Sequence, residues 1–110
     1  MNIAIIGLGL IGGSIAKAIK LNTNYLVFGS DLDQSVVLKA KMLDAIDAEL
    51  DENALSSCQM LILALHPVAA ENWLQQNAGK LPEGMLVIDC CGTKRSISQL
   101  GEALAEKYSF

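Results

Sequence analysis

Three glycines and one acid carry the clearest chemical pattern in this chain. Gly7, Gly9 and Gly12 form G-x-G-x-x-G directly after the apolar run Asn2–Ile6, and a helix-like segment opens at Leu10. Asp31 lies about 20 residues further on, and an apolar strand, this glycine spacing, a helix and an acid at that distance make a dinucleotide-binding fingerprint. Gly7 lets the chain turn sharply out of the strand, Gly9 lets a pyrophosphate approach the backbone, and Gly12 lets the helix pack tightly on the strand. The N–H groups at the helix start, around Leu10, Ile11 and Gly12, then face the phosphates with the positive end of the helix dipole. That dipole contributes on the order of 0.3–2 kcal/mol, so binding must also draw on hydrogen bonds and adenosine burial. Ser14 either adds a hydroxyl to a phosphate or is simply small at a crowded helix start.

Asp31 ends the apolar stretch Tyr25–Ser30. A carboxylate there accepts from the adenine-ribose hydroxyls and repels a 2′-phosphate. Leu32, Asp33 and Gln34 follow with no adjacent Lys or Arg, which favours NAD over NADP. Asp33 suits the N-cap of the next helix. The bland alternative, a glycine-rich turn with no ligand, leaves Asp31 unexplained.

The elements that must position these residues alternate strictly. Strands are expected at Asn2–Ile6, Leu26–Ser30, Ile46–Ala48, Gln59–Leu65 and Met85–Cys90. Helices are expected at Leu10–Lys20, Gln34–Leu43, Val68–Asn77 and Thr93–Lys107, with Pro67 leading into the third. Residues 21–24 read as a turn, Asp51–Ser57 as a polar loop or short helix, and Pro82-Glu-Gly84 as a turn. This order implies an α/β fold, a doubly wound parallel sheet with right-handed crossovers, in one domain spanning 1–110. Ligands bind such sheets at the carboxyl ends of the strands. Four segments reach that edge: the glycine loop, Gly29–Asp31, Leu65-His66-Pro67 and Asp89–Lys94. The last two are expected nearest the nicotinamide.

His66 is the only histidine. It either contacts the cofactor ribose or substrate, with Pro67 beside it, or is a loop residue whose backbone matters more; its apolar neighbours predict a partly dry setting. Lys94 and Arg95 sit at a helix start, where a cation opposes the dipole. Such local misplacement marks function in many proteins, so one of them is a candidate to attract a carboxylated substrate, against the alternative of a solvated pair.

Composition bounds the partners. The chain has 110 residues, 52% hydrophobic and 18% charged, with a net charge of −4 and eight scattered basic residues. That balance argues against nucleic acid and anionic membranes. No run of about 18 apolar residues exists to span a membrane, and no signal peptide is evident. Three cysteines in a chain with one histidine suggest free thiols in a reducing cytoplasm and no metal site. The acidic cluster Asp44, Asp47, Glu49, Asp51, Glu52 is expected to be a solvated edge without catalytic role.

The segment Ile5–Ser14 closely resembles the opening of prephenate dehydrogenases, and Val87–Ile97 is similar to their second signature, in which an Asp ends a strand and a basic turn follows. The resemblance covers essentially the whole chain and implies the cofactor-binding half of a prephenate or arogenate dehydrogenase. Such enzymes transfer a hydride from the C4 carbinol of prephenate to the nicotinamide with loss of CO₂, in tyrosine biosynthesis. It implies that Gly7, Gly9 and Gly12 hold the pyrophosphate, that Asp31 holds the ribose, and that Lys94 is the signature lysine. Gly92 or Thr93 stands where many members have serine, and Thr93 can supply a hydroxyl. The family's catalytic histidine lies downstream of the second signature, so His66 is not equated with it. The helical domain that completes the substrate site and the homodimer is expected outside this chain, which should therefore bind dinucleotide but turn over little prephenate. Two other readings stay open: the cofactor domain of a dehydrogenase acting on β-hydroxy acids or imines, and a regulatory NAD-binding module.

Overall fold

The computed structural model describes residues 1–90. Five strands, β1 (Asn2–Ile6), β2 (Leu26–Ser30), β3 (Ala48–Glu49), β4 (Met60–Leu63) and β5 (Leu86–Asp89), form one sheet. Four helices, α1 (Leu10–Asn22), α2 (Gln34–Met42), α3 (Glu52–Ser56) and α4 (Pro67–Asn77), connect them. All pairings are parallel, in the order β3-β2-β1-β4-β5. The chain moves outward one way from β1 through β2 and β3, then returns to place β4 on the other side of β1. The junction of β1 and β4 is therefore the topological switch point, where such sheets bind ligands.

Alternation along the strands supplies two cores. Ala4, Ile6, Leu61 and Leu63 face Leu55 of α3 and Ala70 and Leu74 of α4. Ile3, Ile5, Val27 and Ile62 face Ala16 of α1 and Val37 and Ala40 of α2. Strands buried on both faces must be apolar throughout, which is why they read as continuous hydrophobic runs. Ile5, Leu61, Leu63, Leu74 and Val27 are fully buried, and each side chain contributes about 1.5–3 kcal/mol. The helix Thr93–Lys107 lies outside the described residues.

Several element ends differ from the sequence reading. Helix α1 runs to Asn22 because Asn22 Nδ2 donates to Ala18 O at 2.7 Å and Thr23 Oγ1 to Ile19 O at 2.7 Å, satisfying carbonyls that would otherwise end it sooner. Helix α2 stops at Met42, one residue early, where Leu43 caps it and Asp44 turns at φ 56°. The strand within Gln59–Leu65 spans Met60–Leu63, and the strand within Met85–Cys90 spans Leu86–Asp89. Pro67 is the first residue of α4 itself, where its missing N–H costs nothing. Asp33 and Asp51 cap α2 and α3 by accepting from Ser35 N and Ala54 N. The Ser35 hydroxyl and N–H hold the Asp33 carboxyl below its ordinary pKa.

The third strand is displaced from Ile46–Ala48 to Ala48–Glu49, and Asp47 explains the shift. Its N–H donates to Val27 O at 2.8 Å, while its Oδ2 accepts from Val27 N–H at 2.7 Å, so a side chain completes the ladder just before β3 begins. Its Oδ1 also pairs with Lys20 Nζ at 2.9 Å. Asp47 is thus a structural clamp and not merely a solvated member of the acidic cluster. Burial pushes its pKa up, but the Val27 N–H and the Lys20 ammonium outweigh that, and the carboxyl titrates below its ordinary value. A lowered native pKa gives stability that is present above the ordinary carboxylate range and is lost as pH falls through the lowered value. Asp47→Ala is expected to cost about 1–3 kcal/mol at neutral pH, because it leaves the Val27 N–H unsatisfied. Urea unfolding at several pH values should also show a shallower loss of stability on acidification. An unchanged acid limb would refute the clamp.

Candidate dinucleotide site

The site grows from the last rung of the sheet. Ile6 is in register with Ser30 on one side and Leu63 on the other, and Leu63 with Asp89, so four strands end on one line. Three further backbone bonds continue the ladders outward between neighbouring strands: Gly7 N to Ser30 O at 2.8 Å, Ala64 N to Ile6 O at 2.8 Å, and Cys90 N to Leu63 O at 2.9 Å. The loops that follow are therefore held to a rigid edge.

The three motif glycines meet three different surroundings. Gly7 has φ +93°, a conformation L side chains rarely adopt, and a Cβ there would overlap the Ala64 carbonyl. Gly12 is buried, and a Cβ there would overlap Gly7 O, so α1 lies directly on the turn it leaves. Gly9 differs from both. Its φ is −69°, and a Cβ there would meet no atom of the protein within 4 Å. Nothing in the packing of the described residues requires glycine at position 9, whereas close approach of a pyrophosphate does. Gly9 is also the N-cap of α1, with no side-chain cap and no acid in the first turn. The N–H groups of Leu10, Ile11 and Gly12 are thus presented to an anion at the start of a 13-residue helix. Leu10 and Ile11 are largely exposed beside them, while Ser14 lies one turn along, on the groove between α1 and α2.

Asp31 links the two halves of the site. Its Oδ2 accepts from Leu8 N–H at 2.8 Å and its Oδ1 from Asp33 N–H at 3.0 Å. One carboxylate thereby fixes both the glycine loop and the turn into α2. Two oxygens with about four acceptor positions retain capacity for ribose hydroxyls. Sequence reasoning missed Leu8. Its side chain is buried, and a Cβ on Gly29 would come within 2.9 Å of it and of Ile46, so Leu8 anchors the loop to β2. An apolar residue between the first two glycines, facing a glycine in the second strand, is the signal that could have found it.

Beside Asp31 opens a cleft of about 300 Å³. Ile6, Gly7 and Ser30 form its base, Asp31 and Leu32 one wall, and Leu65 with Ala69, Asn72, Trp73 and Gln76 of α4 the other. Leu65, which follows β4, lines the same cleft as Asp31. His66 is exposed, not in a dry setting, and caps α4 through its backbone with no side-chain bond to the helix. The α4 face was absent from the sequence reading. Ala69, Asn72, Trp73 and Gln76 recur at helical spacing, but their mixed polarity is indistinguishable from an ordinary solvent face. Gly92, Thr93, Lys94 and Arg95 lie outside the described residues.

A parallel sheet with this order, a glycine turn onto a helix start and an acid ending β2 together define a Rossmann-type dinucleotide-binding domain. Residues 2–92 match the family described as NADP oxidoreductase, coenzyme F420-dependent, and the chain belongs to that family. Solved structures agree on the fold. The chain is similar to Synechocystis arogenate dehydrogenase, with 25% identity and a TM-score of 0.83 over 94% of this chain and 37% of that one. It superposes on Aquifex aeolicus prephenate dehydrogenase, solved with hydroxyphenyl propionate and NAD⁺, with 21% identity and a TM-score of 0.86 over 98% of this chain and 39% of that one. Mycobacterium tuberculosis 3-hydroxyisobutyrate dehydrogenase gives 18% identity and a TM-score of 0.85 over 98% of this chain and 37% of that one. The chain thus spans under two-fifths of the length of these three enzymes. No curated protein matches it in sequence. Among the described residues no helix is long and apolar enough to cross a membrane.

Proposed function

We propose that this domain holds NAD, in preference to NADP, for a dehydrogenase acting on prephenate or arogenate. The observation that carries the cofactor reading is Asp31. Its carboxylate is fixed by the Leu8 and Asp33 N–H groups at the rim of the cleft, where it can accept from ribose hydroxyls and would repel a 2′-phosphate. The substrate reading is supported by the Ile5–Ser14 and Val87–Ile97 segments and by the likeness to the arogenate enzyme. When bound, the nicotinamide accepts the hydride. The chain's own part is to hold the pyrophosphate on the α1 start and the ribose on Asp31, with Lys94 attracting the substrate carboxylate and Thr93 offering a hydroxyl. A homodimer completed by further chain is part of the same reading.

Calorimetric titration of the 110-residue chain with NAD and with NADP tests it. Saturable binding at least about tenfold tighter for NAD is expected, since like charges brought together in a site cost up to several kcal/mol and about 1.4 kcal/mol is already tenfold. Preference for NADP would overturn the role given to Asp31, and no binding of either would overturn the dinucleotide reading. Prephenate added with NAD should give little or no NADH from this chain, and robust turnover would show that the substrate site needs nothing further.

A further inference from the structure

The cleft beside Asp31 has more chemistry on its far wall than a ribose requires. Asn72 and Gln76 stand one turn apart on α4, both exposed and both lining the cleft with Trp73. Neither side-chain amide has a hydrogen-bond partner among the described residues, in contrast to Asn77, whose Nδ2 donates to Trp73 O at 2.8 Å. Across from them Leu32 is fully exposed on the Asp31 wall. A flat ring placed between Leu32 and the Ala69–Trp73 surface would lie against apolar groups on both faces and meet the amides at its edge. An amide offers one donor and one acceptor side by side, which matches the N6–H donor and N7 acceptor of adenine, whereas hypoxanthine presents two acceptors along that edge.

We propose that Asn72 and Gln76 read the purine edge of the dinucleotide and make the site selective for adenine. The proposal rests on the dinucleotide reading above and adds a base preference that Asp31 and the glycine loop do not supply, since they address only ribose and phosphates. Both residues sit on an exposed helix face, so alanine there favours the helix and leaves the fold intact.

The test is titration of the full chain with NAD and with nicotinamide hypoxanthine dinucleotide, followed by calorimetry and by the fluorescence of Trp73, the only tryptophan. The parent chain is expected to bind NAD about tenfold more tightly, the low end of what one amide–adenine pair discriminates. In the Asn72→Ala/Gln76→Ala variant NAD affinity should fall to that of the hypoxanthine analogue, whose own affinity should change less than about twofold. Equal affinity of the parent for both nucleotides, or a variant that keeps the preference, overturns the base-reading role while leaving the dinucleotide site standing. Failure of the parent to bind either nucleotide overturns the underlying reading and this one with it.

Discussion

Gly9→Ala is expected to leave the fold standing and to weaken dinucleotide binding about 10- to 100-fold, because one methyl group forced into a packed contact costs about 1–3 kcal/mol. The separation of the two effects follows from the surroundings of position 9. A Cβ there meets no protein atom within 4 Å, and the backbone already has a negative φ of −69°. Alanine is a poorer N-cap than glycine, but it also lowers the entropy of the unfolded chain, and the two terms offset to within about 1 kcal/mol. What alanine does fill is open space next to the start of α1, which Gly9 caps. A pyrophosphate held away from the helix start loses both its close approach and its hydrogen bonds. The measurement is a urea denaturation curve beside an NAD titration. A midpoint close to the parent's with strongly weakened binding is the expected pair. Undiminished binding would mean that the phosphates lie elsewhere.

How much of this was legible in the sequence depended on whether a residue's task leaves a local mark. Positive φ and close backbone packing admit little except glycine, so Gly7 and Gly12 could be assigned from residue type and spacing alone. The two-faced strands likewise show themselves as unbroken apolar runs. Asp47 gave no such signal. Its role is to substitute a carboxylate for a strand residue opposite Val27, and only the pairing of β2 with β3 reveals that; in sequence it is one acid among five. The α4 wall of the cleft was hidden for a related reason. Asn72 and Gln76 look like any solvent-facing positions until the crossover from β4 lays that face beside Asp31. Residue chemistry was readable, whereas juxtaposition created by the switch point between β1 and β4 was not. Asp31 lies between these cases: its distance from the glycines marked it as a candidate ribose acid, and its bond to Leu8 N–H makes it a structural brace. Its replacement should therefore disturb the loop in addition to the cofactor preference.

Gly12→Ala should behave in the opposite way to Gly9→Ala, costing about 3 kcal/mol or more in stability, with binding lost as a consequence of the displaced or unfolded α1. The added Cβ would overlap Gly7 O, with Gly7 C at 2.9 Å and the Ala64 Cβ at 3.1 Å beyond it. None of these atoms is the tip of a flexible side chain. Gly7 is pinned by its N–H to Ser30 O, and Ala64 by its N–H to Ile6 O, so the obstacle is the sheet edge itself. Relief requires lifting the start of α1 off the sheet. That would also pull away Ala16, the other buried residue of the helix, and open the core formed with Ile3, Ile5 and Val27. A domain of this size has roughly 5–15 kcal/mol of total stability, so the loss should appear as a large drop in the urea midpoint and in helical circular dichroism at modest temperature. The double variant Gly9→Ala/Gly12→Ala should be no less stable than Gly12→Ala by more than about 1 kcal/mol, since only position 12 meets protein atoms. A Gly12→Ala protein that unfolds with the parent's midpoint would mean that α1 can shift without cost, and the close seat of the helix on the turn would no longer account for the third glycine of the motif.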